Sequence, residues 1–350
     1  MTVSVGVALS GGADSLLALC LLMEQGYEPH AVHASFLGTS PWEEDLRQAL
    51  AGICNDLNVP LHCVNMEQVF AQEVILPFVQ ACALGLTPNP CAWCNRRIKF
   101  RALAEEIRSM GLQYIATGHY AQVRWDCDDP PGLFRGMDAG KDQSYFLALV
   151  DQSILQNTLF PLAAWNKEAV HRALARRELG PVQSRESQEI CFIPGNDYRE
   201  FLAAQDVALP GPGDIVDTGG KVLGRHQGLH RYTLGQRRGV GIAHSEPLYV
   251  VDKDLGANRL IVGPRSQLRA DSCRVRLVNS WVESAKWPEE VWVQTNYRQA
   301  ARSARIRLQD QELNIHFEQP CVPPAPGQIA VLYSPQGRVL GGGEILRPNA

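Results

Sequence analysis

The chain has no apolar run of the roughly 18 residues that a helix needs to cross a bilayer, so no membrane span is expected. Its first residues, Met1 to Gly12, place no basic stretch ahead of an apolar one. A secretory signal is therefore not expected, and the reading is a cytoplasmic protein with no membrane partner. Cysteine is thin for a disulfide scaffold: ten in 350 residues, Cys20, Cys54, Cys63, Cys82, Cys91, Cys94, Cys127, Cys191, Cys273 and Cys321. In a reducing compartment most of these should be buried, inert thiols. Net charge is small too, at −4, and gives no bulk attraction for nucleic acid. There is no internal repeat and no low-complexity tract. With 45% hydrophobic and 20% charged residues, disorder, collagen and coiled coil are excluded.

What is there is organised unevenly. Residues 1–200 carry 15 Lys+Arg against 23 Asp+Glu, whereas residues 201–350 carry 18 against 14. The second part is thus mildly basic. Arg96, Arg97, Lys99 and Arg101 form one local basic cluster; Arg231, Arg237 and Arg238 form another; Arg298, Arg302, Arg305 and Arg307 a third. Such clusters are usually solvated faces.

The first half alternates strand and helix patterns. Strands are expected over 3–9, 30–36, 61–64 and 113–117. Helices are expected over 14–25, 43–57, 67–84 (bent at Pro77) and 95–110. This rhythm points to an α/β fold with a parallel sheet covered by helices. Pro210-Gly211-Pro212-Gly213 breaks the texture, and short strand candidates follow over 248–251, 259–262, 273–278, 291–295, 304–308, 313–317 and 329–333. Their spacing suggests small β domains or a barrel. The expected division is 1–203, a catalytic α/β domain; 204–268, a small central domain; and 269–350, a C-terminal β-barrel.

The first strand runs into Ser10-Gly11-Gly12-Ala13-Asp14-Ser15 and then a helix. Glycines let backbone approach a ligand closely, and the helix N-terminus offers unpaired N–H groups, so the turn can cradle an anion. It is neither a Walker A loop nor GxGxxG. SGGADS resembles the SGGxDS pyrophosphate motif of ATP-pyrophosphatases, which activate a substrate oxygen by adenylation and expel pyrophosphate. That resemblance implies ATP as substrate and Asp14 as a residue that helps position Mg²⁺.

Cys91 and Cys94 form the one CxxC, in TPNPCAWCNRRIKF at 87–100. The prolines make a stiff loop, and Cys94 is expected near the start of a helix. A helix N-terminus and nearby arginines lower a thiol pKa, which describes a reactive thiolate. A structural zinc site is disfavoured because it needs four ligands and no second CxxC exists. Cys191 lies in the short apolar segment SQEICFIP and, taken alone, reads as a core residue.

Taken together, the chain resembles the bacterial tRNA-specific 2-thiouridylases over nearly its whole length. The likeness is carried by SGGADS at 10–15, TPNPCAWCNRRIKF at 87–100, ATGHYA at 116–121 and LFRGMDAGKDQSYFL at 133–147. SQEICFIPGNDYREFL at 187–202, GRHQGLHRYTLGQRRGVGI at 224–242, NYRQ at 296–299, PGQ at 326–328 and LGGGEI at 340–345 complete it, in order. The resemblance implies ATP-dependent replacement of the C2 oxygen of the wobble uridine, position 34, by sulfur. It implies an N-terminal adenine-nucleotide α-hydrolase-like domain, a central tRNA-contacting domain and a C-terminal barrel. By the same likeness Cys94 is the nucleophile, and Cys191 receives sulfur as a persulfide and can form a disulfide with Cys94. ATP would meet Ala8, Leu9, Ser10, Gly11, Gly12, Ala13, Asp14, Ser15, Ala34 and Gly118. The target base would meet Asn89, Pro90 and Cys91. Lys141, Asp142, Gln143, His119, Asn296, Tyr297 and Gln328 would face tRNA. The implied partners are tRNAs for Glu, Gln and Lys, and a cysteine desulfurase or sulfur-carrier protein as donor.

The chain departs from the pattern at Ala13, where valine is common, at Cys91, where aspartate often stands, and at Asn296, where arginine is usual. The extra thiol keeps a second chemistry open, in which Cys91, Cys94 and Cys191 ligate a [4Fe–4S] cluster that serves the same thiolation. An ammonia-using ATP-pyrophosphatase and a non-enzymatic nucleotide- or RNA-binding module are the remaining alternatives.

Overall fold

The computed structural model describes residues 2–125, 131–183, 190–193, 195 and 197–348. Cys127 lies outside the described residues, as do Ser187, Gln188, Glu189, Pro194 and Asn196 of the SQEICFIPGN segment. The chain forms two compact units. The first comprises Met1–Ile75, Cys91–Phe192 and Gln336–Val339; the second comprises Leu76–Pro90, Ile193–Pro335 and Leu340–Ala350.

In the first unit the expected α/β alternation is present. Strands β1 (Ser4–Ala8), β2 (Glu28–Ser35), β3 (Leu61–Asn65) and β4 (Tyr114–Ala116) are parallel, and an antiparallel hairpin follows, β5 (Ala121–Arg124) with β6 (Gly132–Arg135). β7 (Thr158–Leu159) closes the parallel sheet, whose order is β3-β2-β1-β4-β7. The order reverses direction between β1 and β4, and the loops at the carboxyl ends of those two strands flank the crevice where open α/β sheets bind ligands. Helix α1 (Ala13–Glu24) buries Leu16, Leu17, Leu19, Leu21 and Leu22. It is apolar on nearly all sides, as a helix between packed layers must be. Helix α2 (Pro41–Asp56) is amphipathic. Ser40 caps it by accepting from Glu43 N–H at 3.1 Å, and Leu46, Leu50 and Cys54 are its buried face. Each buried leucine of this kind contributes about 1.5–3 kcal/mol.

The expected helix over 67–84 is split into Glu67–Phe70, a π turn Ala71–Ile75 and Leu76–Ala83. Pro77 has no N–H to give to residue 73 and its ring crowds that carbonyl, so the wider π turn just before it absorbs the misfit. The helix expected over 95–110 begins earlier, at Pro90, and its middle, Asn95–Ala102, is also π-helical.

The second unit holds a four-stranded sheet and a closed barrel. The sheet has order β10-β11-β8-β9, from β8 (Gly213–Asp217), β9 (Val222–His226), β10 (Tyr249–Asp254) and β11 (Arg259–Gly263). The barrel is antiparallel, β12-β15-β14-β13-β16-β17, with β12 (Ala270–Ser280), β13 (Val291–Gln294), β14 (Arg302–Gln309), β15 (Glu312–Cys321), β16 (Ile329–Tyr333) and β17 (Val339–Ile345). Its interior is filled by Val275, Val293, Leu313, Ile315, Leu332 and Ile345. Closure removes the exposed edges that an open sheet would present. β17 escapes a propensity reading because LGGGEI has three glycines in a row. The barrel requires two of them: a Cβ at Gly343 would stand 2.2 Å from the carbonyl oxygen of Arg276, and one at Gly341 2.9 Å from that of Asn279, both on the neighbouring strand.

Candidate active site

The SGGADS loop leaves the carboxyl end of β1 at the reversal point of the sheet. Gly11 has φ +84°, a left-handed conformation that favours glycine. Ser15 Oγ donates to the Gly12 carbonyl at 3.0 Å and accepts from Ser10 N–H at 3.2 Å, which folds the loop over the first turn of α1. Gly12 is the N-cap and no side chain caps the helix, so the amide end of α1 is left for an anion. A Cβ at Gly118 would lie 2.7 Å from Asp14 C and 2.8 Å from Ser15 N. Glycine there lets the loop after β4 press onto the start of α1. Ala8, Leu9, Ser10, Gly11, Gly12, Ala13, Asp14, Ser15 and Gly118 are thus gathered. Ala34 stands near the carboxyl end of the adjacent strand β2.

Asp14 departs from its expected use. Lys167 Nζ contacts both its carboxylate oxygens, at 2.8 and 2.9 Å, and Tyr120 OH donates to Oδ1 at 2.6 Å. The carboxylate is engaged by protein donors rather than presented for a divalent cation. Among the described residues no group of three or more His, Cys, Asp or Glu is arranged to hold a metal ion.

The thiols converge, but not as a ready thiolate. Cys94 is buried and ends the short helix Pro90–Cys94, so it is not at a helix N-terminus. Burial pushes its thiol up to about 12; Lys99 opposes that, while Cys191 and Cys91 add repulsion. Burial likewise lifts Cys91 to about 11, with Cys191 adding and Lys99 opposing. Cys191 keeps an exposed surface in a turn, correcting the core reading, yet desolvation by its surroundings still raises its thiol, again opposed by Lys99. The three sulfurs therefore lie within electrostatic reach of one another and of one ammonium. The arginines expected to activate them are spent elsewhere. Arg96 donates to Leu149 O at 2.6 Å and pairs with Asp151 at 3.0 Å; Arg97 donates to Glu73 O at 3.0 Å and stacks over Trp93 at 4.4 Å. The π-helical turn that follows Cys94 carries Lys99.

His119 is buried against Phe100 and Phe160, and its Nδ1 meets Thr117 Oγ1 at 2.8 Å. Burial, helped by Lys99, holds its pKa well below the usual imidazole value, so the ring is neutral near pH 7. Of the KDQ run, Asp142 is buried. Its Oδ2 accepts from Arg135 at 2.9 Å and Ser144 Oγ at 3.0 Å, and its Oδ1 from Gly136 N at 2.9 Å and Ser144 N at 3.0 Å. Gln143 Oε1 accepts from Tyr120 N–H at 3.0 Å. These two side chains brace the loop, and Lys141 beside them is half-buried, as Gln143 is.

In the second unit, Gln328 Nε2 donates to the carbonyl of Thr87 at 3.0 Å, and Thr87 N–H donates to Pro326 O at 2.8 Å. Lys253 Nζ donates to Gly85 O at 3.0 Å, and Arg347 donates to Leu84 O. The segment leading to the buried Asn89 and Pro90 is thus fastened through its carbonyls. Asn296 is exposed and Tyr297 half-buried in the turn after β13, where Gln294 Nε2 donates to both their carbonyls.

Sequence reasoning missed Lys99 as the cation facing the thiols, and Lys167 and Tyr120 as partners of Asp14. It also missed His33, which bridges Leu9 O at 2.9 Å and Glu43 at 2.8 Å behind the loop. Lys99 was available inside a basic cluster and Tyr120 inside ATGHYA; Lys167 and His33 sit in segments with no motif.

Comparison with known proteins covers the same ground. Residues 3–195 match the family model described as the tRNA methyl transferase HUP domain. Residues 199–264 match the tRNA methyl transferase PRC-barrel domain, and residues 270–345 the aminomethyltransferase beta-barrel domain. A tRNA-specific 2-thiouridylase of Nitratidesulfovibrio vulgaris (Miyazaki F) is 46% identical over 348 residues, covering 98% of this chain and 99% of the relative. One from Oleidesulfovibrio alaskensis is 45% identical, covering 97% and 98%. One from Chloroflexus aurantiacus is 39% identical, covering 99% of each chain. The domain models bear a methyl-transferase label, whereas these full-length relatives are named for thiolation. With such identity from end to end, the chain belongs to the tRNA-specific 2-thiouridylase family.

Proposed function

We propose that this protein carries out ATP-dependent 2-thiolation of a tRNA uridine, the wobble uridine at position 34. The observation that carries the reading is end-to-end likeness to relatives named for 2-thiolation, 46% identical over 98% of this chain; that Cys94 and Cys191 belong to the unit that also holds the SGGADS loop supports it.

Uracil C2 is a weak electrophile and its oxygen a poor leaving group. The C2 oxygen attacks the α-phosphate of ATP, pyrophosphate departs, and the oxygen becomes part of an adenylate. The amide end of α1 stabilises charge gathering on the pyrophosphate. A cysteine desulfurase or sulfur-carrier protein first loads Cys191 as Cys–S–SH. The terminal sulfur attacks C2, AMP leaves, and Cys191 is joined to the base through two sulfurs. Cys94 then attacks the Cys191 sulfur. The S–S bond to the base breaks, thiouridine is released, and a Cys94–Cys191 disulfide forms. In a second version Cys94 attacks the persulfide first and frees sulfide, which attacks C2. Both routes balance in the same way: the disulfide holds two electrons fewer than the two thiols, and a dithiol reductant restores it.

Mg²⁺, when bound with ATP, supplies charge neutralisation to the phosphates, and the set around Asp14 gives it no dedicated protein cage. The iron–sulfur alternative finds no support in the named relatives, and the three thiols form no metal-holding group among the described residues. Lys141, Asn296, Tyr297 and Arg298 with the mildly basic second half of the chain would track RNA phosphates, giving a salt-sensitive affinity. The base must come from an unstacked loop, as an anticodon provides. Substrates by family likeness are the tRNAs for Glu, Gln and Lys.

The test is mass spectrometry of tRNA nucleosides after incubation with ATP, Mg²⁺, a cysteine desulfurase and cysteine. 2-Thiouridine is expected from the wild type and is lost in Cys94→Ser and Cys191→Ser. Its absence under both aerobic and anaerobic conditions, or full activity of Cys191→Ser, would overturn the reading.

A further inference from the structure

Lys167 has no place in the motifs above, yet its ammonium sits on the first turn of α1. It opens the helix Lys167–Arg176, whose N-cap Asn166 accepts from Ala169 N–H at 2.8 Å. Val170, Ala173 and Leu174 pack that helix against Leu16, Leu17 and Tyr120. The packing fixes where its first residue falls. Lys167 is largely buried, with 17% side-chain exposure, and it meets both oxygens of Asp14, while Tyr120 OH donates to one of them.

Asp14 is an awkward residue at this point. A carboxylate in the first turn suits the helix dipole. It also adds negative charge beside the amides that must receive a polyanion, and like charges at a few ångströms repel strongly in a partly buried site. The lysine cancels that charge without adding a positive residue to the loop itself. We propose that Lys167 is a nucleotide-positioning residue whose ammonium, held by Asp14 and Tyr120, balances the loop's own carboxylate and draws the triphosphate of ATP onto the SGGADS turn. This rests on the reading that the loop binds ATP. It predicts dependence on the number of phosphates: the ammonium favours ATP over AMP and leaves adenosine untouched.

The experiment is calorimetric titration of the full chain, in EDTA and without tRNA or sulfur donor, with ATP, AMP and adenosine. The variants are Lys167→Met, Lys167→Arg and Asp14→Asn, each checked by its melting temperature. Lys167→Met is expected to weaken ATP by at least about tenfold, the size of one charge-assisted hydrogen bond, with adenosine unchanged. Lys167→Arg should recover much of the loss. Asp14→Asn, which removes the opposing negative charge and the ammonium's anchor together, should keep ATP preferred over adenosine. A purely structural ion pair gives a different result, in which Lys167→Met and Asp14→Asn both lose affinity and adenosine falls with ATP. That outcome, or a Lys167→Met protein that binds ATP as the wild type does, overturns the proposal. A wild type that binds no ATP overturns the loop reading and the proposal together.

Discussion

The resting state of Cys94 gives the sharpest test of the site. Burial lifts its thiol from 9.0 to about 12. Each unit is tenfold in the protonation equilibrium, so at neutral pH the free protein holds about a thousandfold less Cys94 thiolate than an ordinary cysteine would. Thiolate is the alkylating species. Cys94 should therefore react slowly with iodoacetamide, and its rate should climb tenfold per pH unit without a plateau across the accessible range. Exposed Cys63 serves as an internal reference for an accessible thiol. Quantitative mass spectrometry of the alkylated peptides against pH reads both rates in one sample. Lys99→Met removes the cation that opposes the shift at Cys91, Cys94 and Cys191 and should slow Cys94 further. Bound tRNA and a loaded Cys191 must supply what the free protein withholds, a way to take the proton. A Cys94 rate that levels off below about pH 9, near the ordinary thiol value, would refute the buried-thiol account.

The same burial has a stability consequence. Folded Cys94, Cys82 and Cys273, each pushed up to about 12, hold their protons more tightly than the unfolded chain, whose value is 9.0. The stability from these thiols is fully present below pH 9.0 and is lost as pH rises toward 12, so melting temperatures should fall in alkali; a flat alkaline profile would contradict this. Gly118→Val places a Cβ within 2.7–2.9 Å of the Asp14 and Ser15 backbone. It should cost about 1–3 kcal/mol in thermal melts and lower ATP affinity in titrations. Asp142→Ala strips the acceptor from four donors of Arg135, Gly136 and Ser144. It should destabilise by about 2–4 kcal/mol, whereas Lys141→Ala should lower tRNA affinity with a shallower salt slope.

Much of the fold is legible because its signals are local. The alternation of apolar strand and amphipathic helix over 3–117 is a period that neighbouring residues impose on one another. The misses have separate causes. The helix over 95–110 starts at Pro90 because proline suits a first helical turn, whereas the prolines before the CxxC signal a loop in sequence. β17 was missed because its glycines answer to the backbone of another strand, at Arg276 and Asn279, rather than to any propensity of their own. Asp142 and Gln143 read as RNA-facing by family likeness; what the sequence does not show is that their side chains also brace the loop by hydrogen bonds.

The sequence alone determined the α/β class, the turn after β1 and the two segments that bring Cys94 and Cys191, since each is written in a short stretch whose backbone preference or chemistry is intrinsic. Tertiary structure decided which charges meet. Packing set Lys167 on Asp14 and Lys99 toward the sulfurs, turned the neighbouring arginines to Asp151 and Glu73, and buried Cys94 deeply enough to keep its proton. Charge pairing and desolvation depend on distance in space, and no spacing along a chain specifies distance between its remote parts.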